Sequence, residues 1–430
     1  MKKKVFVLFG FVLLITGVVV GCSGDEQSSS GASDDGQVTV QVWFGREDFI
    51  PADNFDSFHE EHPDIKVETD VIPLEQSVSD YTRNFNAGNA PDIFQTYHEN
   101  VPVLVNQGSV MDMTEQFKQW ENDDPESFNN LISQAFETTS YDGKSYGLGI
   151  HMGPRWHVHR KDLFEEAGLD APETWDDVIE AARTLKEGGY LEAGQYPYAI
   201  VAGAENAPNW FQSQFQAMGG EYKDGIPQLD SEAGTYLIDF YQTLAKEELI
   251  HPESIAWQSG EMRGAFIGGN AAMATIGDNI FPIINEDLSE YGDKWEATVQ
   301  PHRPGAEESW RPNASTWPMM VSENTEHPEE VTEVLKYLSS TDIVKEVAHR
   351  YQATTNSEVM KDESYYEEKP WHENLAEDYE KAENIPSSLA HPQVMDTLLE
   401  LMQECLQNPD KDPSELAKTY QAEFEEISSN

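Results

Sequence analysis

Predicted strands and helices alternate along the chain, and this order constrains the fold more than any other feature of the sequence. Residues 38–44 alternate and are rich in β-branched and aromatic side chains, which predicts a strand. The helical periodicity that follows stops at Pro63, and a second helical stretch stops at Gly88. The predicted order is strand 38–44, helix 49–62, strand 65–71, helix 78–87 and a strand that opens at residue 91. A β-α-β-α-β order predicts an α/β unit with a largely parallel sheet.

The same alternation continues through the rest of the chain, although helices dominate towards its end. Thr174 is predicted to cap the start of a helix that Gly188 ends. The remaining predicted elements are an extended stretch over 148–160, helices over 175–187, 234–248 and 260–266, a buried strand over 271–276, and helices over 328–339, 342–351 and 414–427. The whole chain is therefore expected to be α/β, with no internal repeat.

The charge balance excludes one large class of partners. The 430-residue chain carries 79 acidic and 27 basic residues, a formal net charge of -52. A surface of this sign repels phosphate backbones, so nucleic acid is not an expected partner. The acidic residues are spread along the chain, which indicates a solvated acidic surface that keeps an extracellular protein soluble. An acidic site for a cationic ligand is the alternative.

The N-terminal segment predicts the cellular location of the protein. Residues 1–21 combine three lysines, an apolar run and a small residue before Cys22, and the run is short for a membrane-spanning helix. This pattern resembles a bacterial lipobox, in which the cysteine is acylated, although Val19 stands where leucine is more common. An uncleaved anchor helix is the alternative. Residues 22–37 are rich in Ser, Gly and Asp and are predicted to be a flexible tether. The second cysteine, Cys405, lies in an amphipathic helical run and is expected to be a buried free thiol.

A set of short segments in a fixed order carries a family resemblance. It comprises 43–44, 62–67, 87–93, 106–113, 142–147, 159–169, 172–177 and 265–274. Together they resemble the bacterial extracellular solute-binding proteins of family 1, which are lipoprotein sugar-binding subunits of ABC importers and are maltose-binding-protein-like. The resemblance covers nearly all of residues 38–430.

The resemblance implies a two-lobed periplasmic-binding-protein-like fold of type II, with a ligand cleft between lobes that a multi-crossing hinge joins. Lobe 1 would hold residues 38–148 and 312–350, and lobe 2 would hold residues 149–311 and 351–430. It also implies a carbohydrate ligand, delivery to ABC transporter permease subunits, and attachment through the lipid on Cys22 to the outer face of the cell membrane. A monomer without a cofactor is expected.

The ligand contacts that the resemblance implies lie at strand ends and hinge crossings. A sugar needs aromatic faces for its C–H surface and planar polar groups for its hydroxyls. The expected ligand-binding residues are Arg46, Glu47, Tyr97, His98, Glu99, Arg155, Trp156, Asn209, Trp210, Asp278, Asn279 and Trp317.

Three classes of alternative stay open at this point. Arg46 and Arg155 could pair with the carboxylate of an acidic sugar, such as a uronate. Several relatives have tryptophan near the place of Asn279, so its absence weakens the expectation of a long malto-oligosaccharide. A non-sugar solute such as a polyamine is another possibility. A surface-anchored glycoside hydrolase is the third alternative. It would need two carboxylates beside a sugar. In a chain with 79 acidic residues, the presence of such pairs does not distinguish a hydrolase from a binding protein. No metal-site spacing is found, and no metal is expected.

Overall fold

The computed structural model describes residues 36–203, 207–350, 353–372 and 381–428. The strands in this part of the chain are β1 (Val38–Phe44), β2 (Ile65–Val71), β3 (Ile93–Gln95), β4 (Ser140–Tyr141), β5 (Lys144–Ser145), β6 (Gly147–Met152), β7 (Arg155–His159), β8 (Tyr196–Ala199), β9 (Tyr222–Lys223), β10 (Ile226–Pro227), β11 (Ala271–Gly277), β12 (Glu296–Thr298) and β13 (Thr316–Val321). The predicted signal peptide and most of the predicted tether, with Cys22, lie outside the described residues.

The helices cover the faces of the two main sheets. They are α1 (Asp56–Glu61), α2 (Leu74–Ala87), α3 (Val101–Asn106), α4 (Thr114–Asp123), α5 (Pro125–Asn129), α6 (Gln134–Glu137), α7 (Lys161–Ala167), α8 (Trp175–Glu187), α9 (Ala207–Ala217), α10 (Glu232–Lys246), α11 (Ser259–Ile267), α12 (Phe281–Asp287), α13 (Pro328–Ser339), α14 (Thr341–Arg350), α15 (Glu363–Glu368), α16 (His391–Gln407) and α17 (Pro413–Ser428). Among the described residues, no helix is both long enough and apolar enough to cross a membrane.

The first sheet has the strand order β2-β1-β3-β13-β6. Strand β1 pairs in parallel with β2 and β3, as the β-α-β-α-β order predicts. Strand β13 returns from the far half of the chain and runs antiparallel to both β3 and β6, so the sheet is mixed. Val40, Val42 and Phe44 are buried because their alternate positions share one face of β1. The carboxyl ends of β1, β3 and β6 consequently lie at one edge of this sheet.

The second sheet has the strand order β12-β7-β11-β8. Strand β11 is antiparallel to β7 and parallel to β8. Its residues from Ala271 to Ile276 are all buried, which fits a strand covered on both faces. The core around this sheet includes the side chain of Cys405, which is a buried free thiol as expected.

The chain passes between the two sheets at three places in the described residues. The first passage is Gly153–Pro154, because β6 pairs with β13 as far as Met152 and β7 begins at Arg155. The second lies between β12 and β13. The third follows Val359 and Tyr365, which pack in the core of the first sheet, and precedes Trp371, which packs in the core of the second.

These passages shift the lobe boundaries from those that the resemblance implied. We propose that lobe 1 holds the described residues between 38 and 152 and between 316 and 366, and that lobe 2 holds the described residues between 155 and 298 and between 371 and 428. The expected boundary at 148 falls inside β6, whose pairing with β13 keeps the strand in the first sheet. The expected boundary at 350 separates Tyr365 from the core in which it is buried.

The start of α8 allows a direct test of one sequence prediction. Thr174 accepts a hydrogen bond from the Asp177 N–H at 3.2 Å, and the Asp177 carboxylate accepts one from the Thr174 N–H at 2.8 Å, which forms a capping box. Thr174→Ala is expected to lower the free energy of unfolding by about 1 kcal/mol, measured by urea denaturation. Thr419→Ala, at an exposed position inside α17, is the control and should change it by less than about 0.5 kcal/mol. Equal losses in both variants would contradict the capping role.

Candidate functional site

A cavity lies between lobe 1 and the chain segments that join the lobes. Its volume is about 720 Å³. One wall is formed by His98 and by the stretch around α6 and β4 in lobe 1. The other wall is formed by Arg311 and by residues 381–387, the part of lobe 2 that lies against lobe 1 and that is called the connecting segment below. The lining residues are His98, Val101, Pro102, Ser133, Gln134, Glu137, Thr138, Ser140, Tyr141, Arg311, Lys381, Glu383, Asn384, Ile385, Pro386 and Ser387.

Hydrogen bonds tie the connecting segment to lobe 1 and set the width of the cavity. The Gln134 side-chain amide donates to the Ala382 carbonyl at 3.0 Å. The Asn384 amide donates to Thr138 Oγ1 at 2.8 Å, and its oxygen accepts from the Thr316 N–H at 3.0 Å. Both ends of the Asn384 amide are therefore used to hold the wall in place.

Charges of both signs line the cavity. Arg311 donates to Glu383 at 3.2 Å, and the Lys381 ammonium lies 5.7 Å from the centre of the Trp310 ring. Glu137 is the second acidic residue in the lining. Two cations thus face two carboxylates, so the charges of the arginine, lysine and glutamate side chains in the lining are balanced.

A buried charged cluster begins at His98, which is also part of the cavity wall. His98 Nδ1 lies 3.2 Å from Glu99 Oε2. Burial raises the pKa of Glu99, but the charges of His98, His391 and Arg155 outweigh it, and the pKa of Glu99 is lowered overall. Burial lowers the pKa of Arg155 to about 10, against the influence of Glu99 and Tyr97, so the guanidinium stays charged at neutral pH. A lobe 1 carboxylate is therefore held near the Arg155 guanidinium that lobe 2 supplies.

Arg155 also covers the tryptophan that we expected to stack on a sugar. Its guanidinium carbon lies 4.3 Å from the centre of the Trp210 ring. The Trp210 indole N–H donates to the Thr275 carbonyl at 2.8 Å, which fixes the ring at the end of β11. Asn209 precedes it in α9 and is half-buried. The structure thus places the Arg155 guanidinium over Trp210, which follows Asn209 in α9, and none of the three lines the cavity.

A second group of aromatic side chains joins the loops after β1 and β3 to the hinge. Trp317 packs edge-on against Tyr97 at 6.3 Å and against Phe49 at 5.6 Å between ring centres. Phe49 stacks on His151 at 4.5 Å. Tyr97 and Trp317, which we predicted at the site, therefore contact each other next to the first passage between the lobes.

The remaining expected site residues lie elsewhere. Arg46 and Glu47 are exposed after β1, and Arg46 forms an ion pair with Asp48 at 3.0 Å. Asp278 and Asn279 follow β11 in a short turn, and Asp278 is 1% exposed. None of these four lines the cavity.

Trp156 does not belong to the site. Its side chain is 0% exposed and lies in the hydrophobic core around the second sheet. Neighbouring residues on a strand point to opposite faces, so the position that places Arg155 beside Glu99 turns Trp156 into the core. The buried position of Trp156 in the core argues against the ligand contact that the resemblance implied.

Several cavity residues were missed by sequence reasoning. Tyr141 is the tyrosine in the lining, and it ends β4 just before the Asp-Gly turn that leads to β5. Gln134, Lys381 and Asn384 come from segments without a strong periodic pattern. They reach the site because α6 and the connecting segment pack against each other, and a single sequence does not show this long-range contact.

The described residues contain no group of three or more His, Cys, Asp or Glu that could hold a metal ion. His157 and His159, which lie near each other on β7, are buried in the core, and burial lowers the pKa of both. The chemistry of the cavity is therefore that of hydroxyl, amide, carboxylate and cationic groups.

Known proteins with similar sequences are binding proteins. The chain is 28% identical over 224 residues to a probable amino-acid ABC transporter periplasmic-binding protein of Sinorhizobium fredii, which is 50% of this chain and 48% of that one. It is 26% identical over 192 residues to the arabinooligosaccharide-binding protein of Bacillus subtilis, covering 44% of this chain and 43% of that one. In both cases the chain spans just under half the length of the curated relative.

Solved structures with the same fold cover nearly the whole chain. An ABC transporter solute-binding protein of Thermotoga lettingae bound with α-D-tagatose matches 91% of this chain and 100% of its own, with a TM-score of 0.74 and 21% identity. A maltose-bound protein of T. maritima matches 91% of this chain and 100% of its own, with a TM-score of 0.75 and 19% identity. The two-lobed α/β fold that the resemblance implied is confirmed.

A family model connects this fold with the sequence. The model of the bacterial extracellular solute-binding protein family matches residues 45–345, well over half of the chain. The match includes strands of both sheets, the first two passages between the lobes and all of the lobe 1 residues that line the cavity. The chain belongs to the bacterial extracellular solute-binding protein family.

Proposed function

We propose that this protein captures a carbohydrate, most simply an oligosaccharide, in the cavity between its lobes and delivers it to the permease of an ABC importer. The observation that carries the proposal is a cavity of about 720 Å³ with polar side chains from lobe 1 on one side and from the connecting segment on the other. A ligand that touches both walls stabilises one closed arrangement, which a transporter can recognise.

The lining chemistry favours a sugar. Ser133, Thr138 and Ser140 offer hydroxyls, Gln134 offers an amide, and Tyr141 offers an aromatic face beside them. Sugars present hydroxyl rims and apolar C–H faces, which these groups match. Ligand pockets of about 300–1,000 Å³ are typical for small molecules, and the cavity falls in this range.

The charge balance favours a neutral sugar over a uronate or a polyamine. Arg311 is paired with Glu383, and Arg155 faces Glu99, so neither arginine offers an uncompensated charge to a carboxylate. Arg46 is exposed and paired with Asp48. The same balance leaves no concentrated negative charge for a polyamine.

Some relatives support this assignment by their names. The similar proteins include arabinooligosaccharide-binding proteins and a melibiose, raffinose and stachyose-binding protein of Bacillus subtilis, which is 23% identical over 287 residues. Others are named for amino acids or sn-glycerol 3-phosphate, so the ligand class needs a direct measurement.

The cellular setting follows from the N-terminal segment. We propose that residues 1–21 are removed as a signal peptide and that the thiol of Cys22 is acylated. The protein would then act as a monomer tethered to the outer face of the cell membrane through residues 22–37. Capture without chemical change of the ligand distinguishes it from a glycoside hydrolase.

A thermal-shift screen of residues 37–430 against neutral oligosaccharides, uronates and polyamines tests the proposal. A ligand at about 100 times its dissociation constant should stabilise the native state by about 2.7 kcal/mol. Tyr141→Ala should weaken the binding of the best neutral sugar about tenfold, the equivalent of ~1.4 kcal/mol. Tyr190→Ala, a half-buried tyrosine outside the cavity lining, is the matched control and should bind normally.

Each other outcome points to a different function. If uronates alone stabilise the protein, the ligand is an acidic sugar and not a neutral one. If polyamines alone stabilise it, the ligand is not a carbohydrate. If the sugar were consumed during the measurement, the hydrolase alternative would hold instead.

A further inference from the structure

A second pocket opens on lobe 2, apart from the cavity between the lobes. Its volume is about 540 Å³, a size that is typical of sites for small molecules. The last turns of α8, α10 and α16 surround it, together with the start of β8 and the chain around residues 250–255. None of the described residues that line the second pocket also lines the cavity between the lobes, so the two sites are separate.

The second pocket lies at the end of the second sheet that is remote from the first passage between the lobes. Strand β8 runs parallel to β11, and Tyr196 pairs with Ala271 where β11 begins. Arg155, which follows the first passage, pairs with Gly277 where β11 ends. Six residue steps of about 3.3 Å separate the two positions, a distance of about 20 Å. The second pocket is therefore not an extension of the site between the lobes.

The polar side chains of the second pocket are bonded within the protein. The Gln195 amide accepts a hydrogen bond from the Glu192 N–H at 2.8 Å and donates one to the Gly269 carbonyl at 2.9 Å. The Lys186 ammonium donates to two carbonyls just beyond α10, at 2.7 and 3.1 Å, and lies 3.5 Å from the Glu248 carboxylate. The amide that a sugar would need is therefore occupied, and the lysine of the lining is balanced by its glutamate.

The remaining lining is aromatic and aliphatic. The His251 ring stacks on Trp257 at 5.0 Å between ring centres, and Tyr196 packs edge-on against it at 4.9 Å. His251 Nδ1 accepts a hydrogen bond from the Glu253 N–H at 3.1 Å, which fixes the ring and leaves Nε2–H as its donor. The aliphatic lining residues are Pro197, Ala245, Ile250, Pro252, Ile255 and Leu406. The second pocket is therefore apolar, with aromatic rings held in place on one side.

These features suit a flat and uncharged molecule. Its burial removes apolar surface from water, and its ring packs against those of Tyr196 and His251. A charged ligand would lose its hydration without meeting a free opposite charge. We propose that the second pocket is a ligand site for a neutral aromatic compound of the phenol class. This site is additional to the proposed carbohydrate function and does not rest on it.

Fluorine NMR of 4-fluorophenol tests the site in the protein without any carbohydrate. The probe is uncharged at neutral pH, whereas 4-fluorobenzoate carries a negative charge on the same ring. We expect 4-fluorophenol to bind, and 4-fluorobenzoate to bind at least about tenfold more weakly, because a carboxylate without a partner is costly to bury. Equal affinity for the two compounds, or no binding of the phenol, would overturn the proposal.

Two variants of the lining show whether the phenol occupies the second pocket. Ala245→Phe fills the pocket from α10 and should weaken the binding of 4-fluorophenol at least about tenfold. Ala422→Phe, at an exposed position of α17, is the matched control and should bind the phenol normally. Tyr196→Leu removes the ring but keeps an apolar side chain, so it should weaken binding by about threefold to tenfold. Circular dichroism verifies the fold of each variant, and Tyr196→Leu decides the result if Ala245→Phe does not fold.

Tyr141→Ala distinguishes the second pocket from the cavity between the lobes, which Tyr141 lines. This variant should bind 4-fluorophenol normally. Loss of phenol binding in Tyr141→Ala, an equal loss in Ala422→Phe, or unchanged affinity in the folded lining variants would overturn the proposal. Because no carbohydrate is present, a negative result would not count against the proposed function, and failure of every sugar to bind would not remove the phenol site.

Discussion

Replacing Trp156 with alanine is expected to lower the free energy of unfolding by about 3–5 kcal/mol, because the indole is fully buried and its removal leaves a cavity in the core. Urea denaturation measures the change. The folded fraction of this variant should bind ligand with the affinity of the wild-type protein, since Trp156 does not line the cavity.

Trp257→Ala is the matched control for this variant. Trp257 is half-buried at the edge of the same core, where it stacks on His251 at 5.0 Å, so its removal should cost less than that of Trp156. A small loss of stability in Trp156→Ala combined with a large loss of affinity would return Trp156 to the ligand site.

Arg155→Met is expected to have the second largest effect, a loss of about 3–5 kcal/mol of unfolding free energy. Methionine fills a similar volume but leaves the buried Glu99 carboxylate without one of the charges that lower its pKa. The variant also loses the contact of the guanidinium with the Trp210 ring. Because Arg155 belongs to lobe 2 and Glu99 to lobe 1, the ligand-bound closed form should be weakened as well.

A double-mutant cycle isolates the charge effect. Glu99→Gln removes the carboxylate, so Arg155→Met should lower the free energy of unfolding by less in the Glu99→Gln variant than in the wild-type protein. The expected coupling energy is about 1–3 kcal/mol. Arg183→Met is the control, because Arg183 and Glu247 form an exposed ion pair at 2.6 Å that should contribute less than about 1 kcal/mol. Additive losses for Arg155→Met and Glu99→Gln would show that the two charges do not interact.

Local patterns in the sequence were sufficient to predict most of the fold. The alternation in 38–44 and the capping box at Thr174 each reflect interactions within a few residues, and the structure has the predicted strand and helix at both places. The predicted helix over 49–62 is shorter in the structure, where α1 begins at Asp56. Asn54 and Phe55 have positive φ angles, a conformation that interrupts a helix before that point.

The site was predicted less completely, for reasons of geometry. Loops at the carboxyl ends of β1 and β3 could be identified from strand order, and His98 does line the cavity. Neighbouring side chains on a strand point to opposite faces, so the register of the strand decides which of them faces the core. In β7 the register turns Trp156 into the core and Arg155 away from it. The opposite wall comes from residues 381–387, which are distant in sequence from the lobe 1 wall and reach it through contacts such as that of Gln134 with Ala382.

The most direct test of the central claim is a crystal structure of the protein with the best ligand from the thermal-shift screen. The account predicts an intact carbohydrate between the lobes, in contact with the 133–141 wall on one side and with segment 381–387 on the other. Ligand density outside this cavity, contacts with one lobe alone, or a cleaved sugar would contradict it.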